Sequence, residues 1–238
     1  MELGEHISQR YNQELEDIRS KVLKMGGLVE AQAENGVKAL LQRDAELAEN
    51  VATADDKINA LEVEIDEDCV QVIALRQPTA SDLRLVFAVG KVITDLERLG
   101  DEAAKIGKYS KKLAKKKTIT GMHAELSHLS ELALSLLHDS LDAFARLDDE
   151  RAVQLLAKND KINREFNALS RILITHMMEN PRNIKNALRI SWCARSLERI
   201  GRYSINICEH VVYLVKGKDI RHTDLDEVLA ELFPDDDL

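Results

Sequence analysis

Aromatic residues make up only 4% of the 238-residue chain, and three prolines and 10 glycines are all the punctuation it has. A sandwich or barrel of short strands needs frequent turn residues, with β-branched and aromatic side chains covering its faces, so this composition excludes a mainly β-fold. Cysteine is scarce. Cys69, Cys193 and Cys208 are odd in number and show no CxxC spacing, which points to reduced core thiols and away from a disulfide framework. No apolar run approaches the roughly 20 residues of a membrane span. The polar start Met1-Glu2-Leu3-Gly4-Glu5-His6 is unlike a signal peptide. Positive charge is also in deficit: at a net charge of −9 the chain lacks the basic face of a general nucleic-acid binder, so no nucleic-acid partner is expected. The seven histidines are scattered and do not supply the Glu-x-x-His motif that di-iron carboxylate bundles use twice. With no glycine-rich phosphate loop and no nucleophile elbow, no catalytic residue is assigned and no enzyme is expected.

What the chain does have, it has twice. Leu96-Glu97-Arg98-Leu99-Gly100-Asp101 returns as Leu197-Glu198-Arg199-Ile200-Gly201-Arg202, an offset of 101 residues. Asp56-Lys57-Ile58-Asn59 returns as Asp160-Lys161-Ile162-Asn163, an offset of 104. The period is too long for a solenoid and reads as a duplicated half.

Apolar residues step by three and four through six long stretches, as amphipathic helices require. The first runs from Ile7 to Asp44, with Tyr11, Leu15, Ile18, Val22, Met25, Val29, Ala33 and Leu40 on one face; Gly26-Gly27 predicts a bend or a close helix approach. The second runs from Ala45 to Leu75 and ends before Gln77-Pro78. The third, from Ser81 to Lys112, carries the seam Val86, Val89, Ile93, Leu96, Gly100, Ala103, Gly107, and ends in a lysine run, Lys111 to Lys117, that reads first as a solvated linker and second as a phosphate- or lipid-binding strip. After Thr118 to Gly121 the plan repeats. The sixth stretch keeps the third's small-residue seam as Ala187, Ile190, Ala194, Leu197, Gly201, Ser204 and Cys208. The lone Trp192 is read as a packing residue, and Asp224 to Leu232 as a short helix in an acidic tail. The expected fold is all-α: six long helices in two tandem antiparallel three-helix bundles, over 5–117 and 122–217, with a polar tail over 218–238.

Carboxylates are the remaining source of chemistry. Glu97 and Asp101 share a helix face, as do Glu62 and Asp66. The two pairs lie on neighbouring antiparallel helices, roughly 28 Å and 18 Å from the turn at Pro78, so their levels differ by one or two turns. Such a set suits a hard or borderline cation, or it forms ordinary surface ion pairs with Arg84, Arg98 or a lysine. In the second half Glu198 matches Glu97, but Arg202 replaces Asp101 and opposes a cation.

Arg76-Gln77-Pro78-Thr79-Ala80-Ser81-Asp82-Leu83-Arg84 with Asp95-Leu96-Glu97-Arg98-Leu99-Gly100-Asp101 resembles the first signature of the PhoU family. Cys193-Ala194-Arg195-Ser196-Leu197-Glu198-Arg199-Ile200-Gly201, continuing to Asn206-Ile207-Cys208-Glu209, is similar to the second. The resemblance implies a cytoplasmic six-helix protein that keeps phosphate-starvation genes silent when phosphate is plentiful; the small-residue seams and exposed stripes permit a homodimer. It implies two partners, a sensor histidine kinase and the ATPase subunit of the phosphate ABC transporter, with membrane attachment only indirect. It also implies metal ions (Mg, Mn, Fe or Zn) on Glu/Asp-x-x-x-Asp pairs, here Glu62, Asp66, Glu97 and Asp101, with Glu198 left from a second pair. A carboxylate-metal phosphohydrolase and a purely structural scaffold are the alternatives.

Overall fold

The computed structural model describes residues 9–54, 56–116, 122–223 and 225–232. The junction from Thr118 to Gly121, Asp224 and the acidic Asp235-Asp236-Asp237 end lie outside them. The first half consists of α1 (Gln9–Gln42), α2 (Ala45–Ala52), α3 (Asp56–Arg76) and α4 (Ala80–Ala114). The second consists of α5 (His123–Arg146), α6 (Asp149–Leu156), α7 (Lys158–Glu179), a 3₁₀ turn (Pro181–Asn183) and α8 (Ile184–Lys216); α9 (Leu225–Leu232) follows. No strand occurs among the described residues.

The periodic stripes became core. All eight apolar positions read on the first helix are buried, as are the seams of α4 and α8. The duplication extends to the turns. Arg43 ends α1 in the left-handed conformation, and Asp44 then caps α2 by accepting from the Glu46 and Leu47 amides. In the second half Leu147 takes the same conformation and Asp148 caps α6 by accepting from the Arg151 amide. The two turns are 104 residues apart, matching the upstream echoes.

Two expectations need correction. The second and fifth helices are not continuous: one breaks after Ala52, where the Thr53 hydroxyl turns back onto the Glu49 carbonyl, and the other at Ala157. The apolar steps run unbroken across the first break, through Val51, Ala54 and Ile58, so periodicity conceals it. The break lets α2 seat itself against α4. A Cβ added to Gly107 would lie 2.8 Å from the Ala48 carbonyl oxygen and 2.9 Å from the Ala52 nitrogen, so only glycine admits this approach. Trp192 is not core but 46% exposed.

α4 and α8 make the most extensive helix contact and form the centre of the molecule. Residue numbers rise along one as they fall along the other: Lys91 lies over Tyr213, Arg98 over Tyr203, and Tyr109 against Trp192. The pair is therefore antiparallel, with a twofold character centred on Gly100 and Gly201. α1 packs on α4 and α5 on α8, and α1 meets α5 where a Gly26 Cβ would lie 3.1 Å from Leu141. The halves sit side by side. No helix among the described residues is long and apolar enough to cross a membrane.

Candidate functional site

The expected carboxylates do not converge. Glu62 is half-buried on α3, and burial, with the neighbouring Asp66 charge, pushes its carboxyl above the ordinary range against the pull of Arg98. Asp66 itself is exposed. On α4, Glu97 is half-buried and Asp101 faces the Lys105 ammonium at 3.5 Å. Glu198 is 3% exposed and lies between two arginines, 2.5 Å from Arg202 and 3.2 Å from Arg195. Glu125 and His128 on α5 do stand at Glu-x-x-His spacing, but only once, and His128 lies 4.0 Å from Glu165. Among the described residues no three of Asp, Glu, His and Cys are grouped so as to hold a metal ion. The donor set thus does not fit the cluster that the resemblance implies. At Glu198 the positive charge a metal would bring is already supplied by guanidinium groups.

The polar groups that do converge lie where the halves cross. Asp95 of α4, 4% exposed, accepts from Asn206 at 3.1 Å, pairs with buried His210 at 3.1 Å, and has Arg98 at 3.5 Å. Two turns along, buried Glu102 accepts from the Ser196 hydroxyl at 2.7 Å, from Arg199 at 3.0 Å and from Lys105 at 3.0 Å. Burial acts to lower the Lys105 pKa, but Glu102 and Asp101 outweigh it and hold the ammonium above its ordinary value. Glu102 holds the Arg199 guanidinium up in the same way. Buried charges persist in a protein only when satisfied in this manner. Next to Asp95 a cleft of about 440 Å³ opens, lined by Lys91, Thr94, Arg98, Asn206, Glu209 and the 221–222 segment. Burial raises the Glu209 carboxyl there.

The sequence reading missed this network, although a signal existed. Asp95, Arg98, Glu102 and Lys105 step 3-4-3 beside the apolar seam, and Ser196, Arg199, Tyr203, Asn206 and His210 step 3-4-3-4 beside the other. Polar stripes of this kind read as solvated faces until their partner is known. The three cysteines are buried and free; burial pushes each thiol up to about 12, which leaves them unreactive.

The PhoU domain matches the chain at residues 22–110 and 126–211, once in each half. The phosphate-specific transport system accessory protein PhoU homolog of Pseudomonas putida is 45% identical over 97% of this chain and 90% of its own length. The phosphate-specific transport system accessory protein PhoU of Escherichia coli K12 is 44% identical over 97% of this chain and 96% of its own. The crystal structure of PhoU from Pseudomonas aeruginosa superposes with a TM-score of 0.85 at 44% identity, covering 87% of this chain and all of that one. With a matched fold, full-length similarity and two domain matches in register with its internal duplication, the chain belongs to the PhoU family.

Proposed function

We propose that this protein is a non-catalytic regulatory adaptor of phosphate homeostasis. When phosphate is plentiful it couples the phosphate ABC transporter, through the ATPase subunit, to the sensor histidine kinase. It thereby keeps the phosphate-starvation response silent and restrains uptake. It works in the cytoplasm as a homodimer. The observation that carries this reading is the near full-length likeness to proteins named as accessory to a phosphate-specific transport system. The site chemistry supports it. The buried Asp95 and Glu102 of α4 are engaged by Asn206, His210, Ser196 and Arg199 of α8, an arrangement that holds two helical halves together and leaves their outer faces for docking. The proposed role runs through protein contacts, and no step in it needs a metal.

The test is alkaline phosphatase activity in phosphate-replete cells with the gene deleted and then restored. High activity on deletion that falls on restoration is expected. Low, unchanged activity in the deletion strain would overturn the reading.

A further inference from the structure

Both tips expose apolar side chains, Val70, Ile73, Leu75 and Phe87 on the first, but the tip of the second half differs in the charge around them. Ile174 and Met178 on α7 and Ile184, Leu188 and Trp192 on α8 are all exposed, at steps of four along each helix. The 3₁₀ turn joins the two helices, so both rows belong to one helical hairpin and together make up its apolar ridge. Met178, at 79%, is the most exposed large apolar side chain among the described residues. Solitary exposed apolar residues need no explanation, but a contiguous row does.

Basic residues alternate with these apolar positions along the chain. Residues 171–192 hold four basic residues (Arg171, Arg182, Lys185 and Arg189) against one acidic residue, Glu179. The equivalent stretch of the first half, 67–91, holds three of each. No carboxylate among the described residues forms an ion pair with any of those four cations. Arg189 instead donates to the Lys112 carbonyl, which brings the end of the α4 lysine run to the same edge. In the first half Arg76 is locked onto Glu14 at 2.7 Å, and Arg84 is packed beneath Gly217. Trp192 lies at the border of the ridge with its ring 4.9 Å from that of Tyr109, which itself lies under the Lys112 ammonium. An exposed apolar row, cations that no carboxylate among the described residues pairs and a half-exposed tryptophan match the boundary between acyl chains and anionic headgroups.

We propose that the α7–α8 hairpin tip docks directly on an anionic lipid bilayer, with the apolar ridge entering the headgroup layer and the cations facing lipid phosphates. This departs from the expectation of purely indirect membrane attachment. It stands independently of the adaptor role.

Trp192 is the chain's one tryptophan and serves as the reporter. Full-length protein is mixed with phosphatidylglycerol vesicles or with phosphatidylcholine vesicles, at low and at high salt. Tryptophan emission and co-sedimentation are then measured. The expected result is a blue shift and sedimentation with phosphatidylglycerol alone, weakened by salt. Arg182→Glu with Lys185→Glu, and separately Met178→Ser with Ile184→Ser, each reduce binding at least tenfold. Leu75→Ser with Phe87→Ser, on the first-half tip, leaves it unchanged. All six positions except Phe87 lie at the helix ends and none is buried, and circular dichroism checks that each variant folds. Absence of sedimentation and emission shift with phosphatidylglycerol at low salt overturns the proposal, as does full binding by the charge-reversed variant. If the wild type ignores vesicles while the hairpin variants lose repression in cells, the occupant is an acidic protein surface and the lipid assignment fails.

Discussion

At one end of the central crossing Arg98 lies over the ring of Tyr203; at the equivalent place on the other side Arg199 grips Glu102 at 3.0 Å. The offset of 101 residues maps each contact onto the other, so a single backbone geometry is served by a cation–π contact in one half and an ion pair in the other. The same mapping turns Asp95 into Ser196, Asp101 into Arg202 and Lys91 into Trp192. All seven seam positions stay buried and small or aliphatic in both halves, although only Leu96/Leu197 and Gly100/Gly201 are identical, whereas several polar positions beside them change in charge. The duplicated skeleton is held by close packing of small residues, and the chemistry layered upon it specialised each side separately.

Substitutions at mapped positions sharpen this contrast. The largest difference is expected at 95 and 196. Asp95→Ala strands His210, Asn206 and Arg98 and costs about 3 kcal/mol, lowering the melting temperature by roughly 6–12 °C. Ser196→Ala removes one hydrogen bond to Glu102 and costs about 1 kcal/mol. Equal losses at the two positions in thermal melts would break the comparison. Next come the seam glycines. Gly107→Ala presses a methyl group on α2 backbone and costs about 2 kcal/mol, while Gly201→Ala meets only the side chain of Ile162, Cδ1 at 2.7 Å and Cγ2 at 3.3 Å, and costs about 1 kcal/mol, as denaturant midpoints will register.

Exchange of the charge pattern gives a smaller effect. Arg202→Asp deprives buried Glu198 of one of its two arginines and adds a like charge, for about 1–2 kcal/mol. Asp101→Arg changes a half-exposed site and stays within about 0.5 kcal/mol in the same unfolding assay. The smallest effect belongs to His138 of α5, which reaches Glu30 of α1 at 2.6 Å and ties the halves together. The hydrogen bond to Glu30 raises the His138 pKa above its ordinary value. Its contribution is complete below the unfolded histidine pKa and is lost as pH rises through the higher folded value. Because the ring is largely exposed, it amounts to about 0.5 kcal/mol. The melting-temperature gap between wild type and His138→Gln should therefore be present at pH 5.5 and vanish by pH 8.5; a constant gap would assign the effect to packing.

Much of this architecture was legible from spacing. Tyr11 to Leu40, and Val86 to Gly107, needed no partner to declare a buried face, because a helix with one apolar stripe must bury it. The break after Ala52 was hidden because the apolar step continues through it, and only the Thr53 hydroxyl records the turn. The site was less legible. Glu97 and Asp101 have the spacing of a ligand pair, but spacing within one helix says nothing about what faces it. Asp95 and His210 are 115 residues apart and meet only because α4 and α8 cross antiparallel. Trp192 was misread for the same reason: a large ring is core by habit, and only the crossing shows that its neighbour is Tyr109 at an open edge.

The twofold character of that crossing has a consequence for how the two sides came to differ. Two identical copies of one half, meeting as α4 and α8 do, would present every contact twice, and whatever residue sealed one end would seal the other. An aspartate introduced at position 95 would then face the counterparts of Asn206 and His210 at both ends or at neither. Covalent joining removes that restriction. One polypeptide can hold a clasp closed at one end of the crossing, through Asp95 and His210, and leave an apolar row open at the other, a division of labour denied to any symmetric pair.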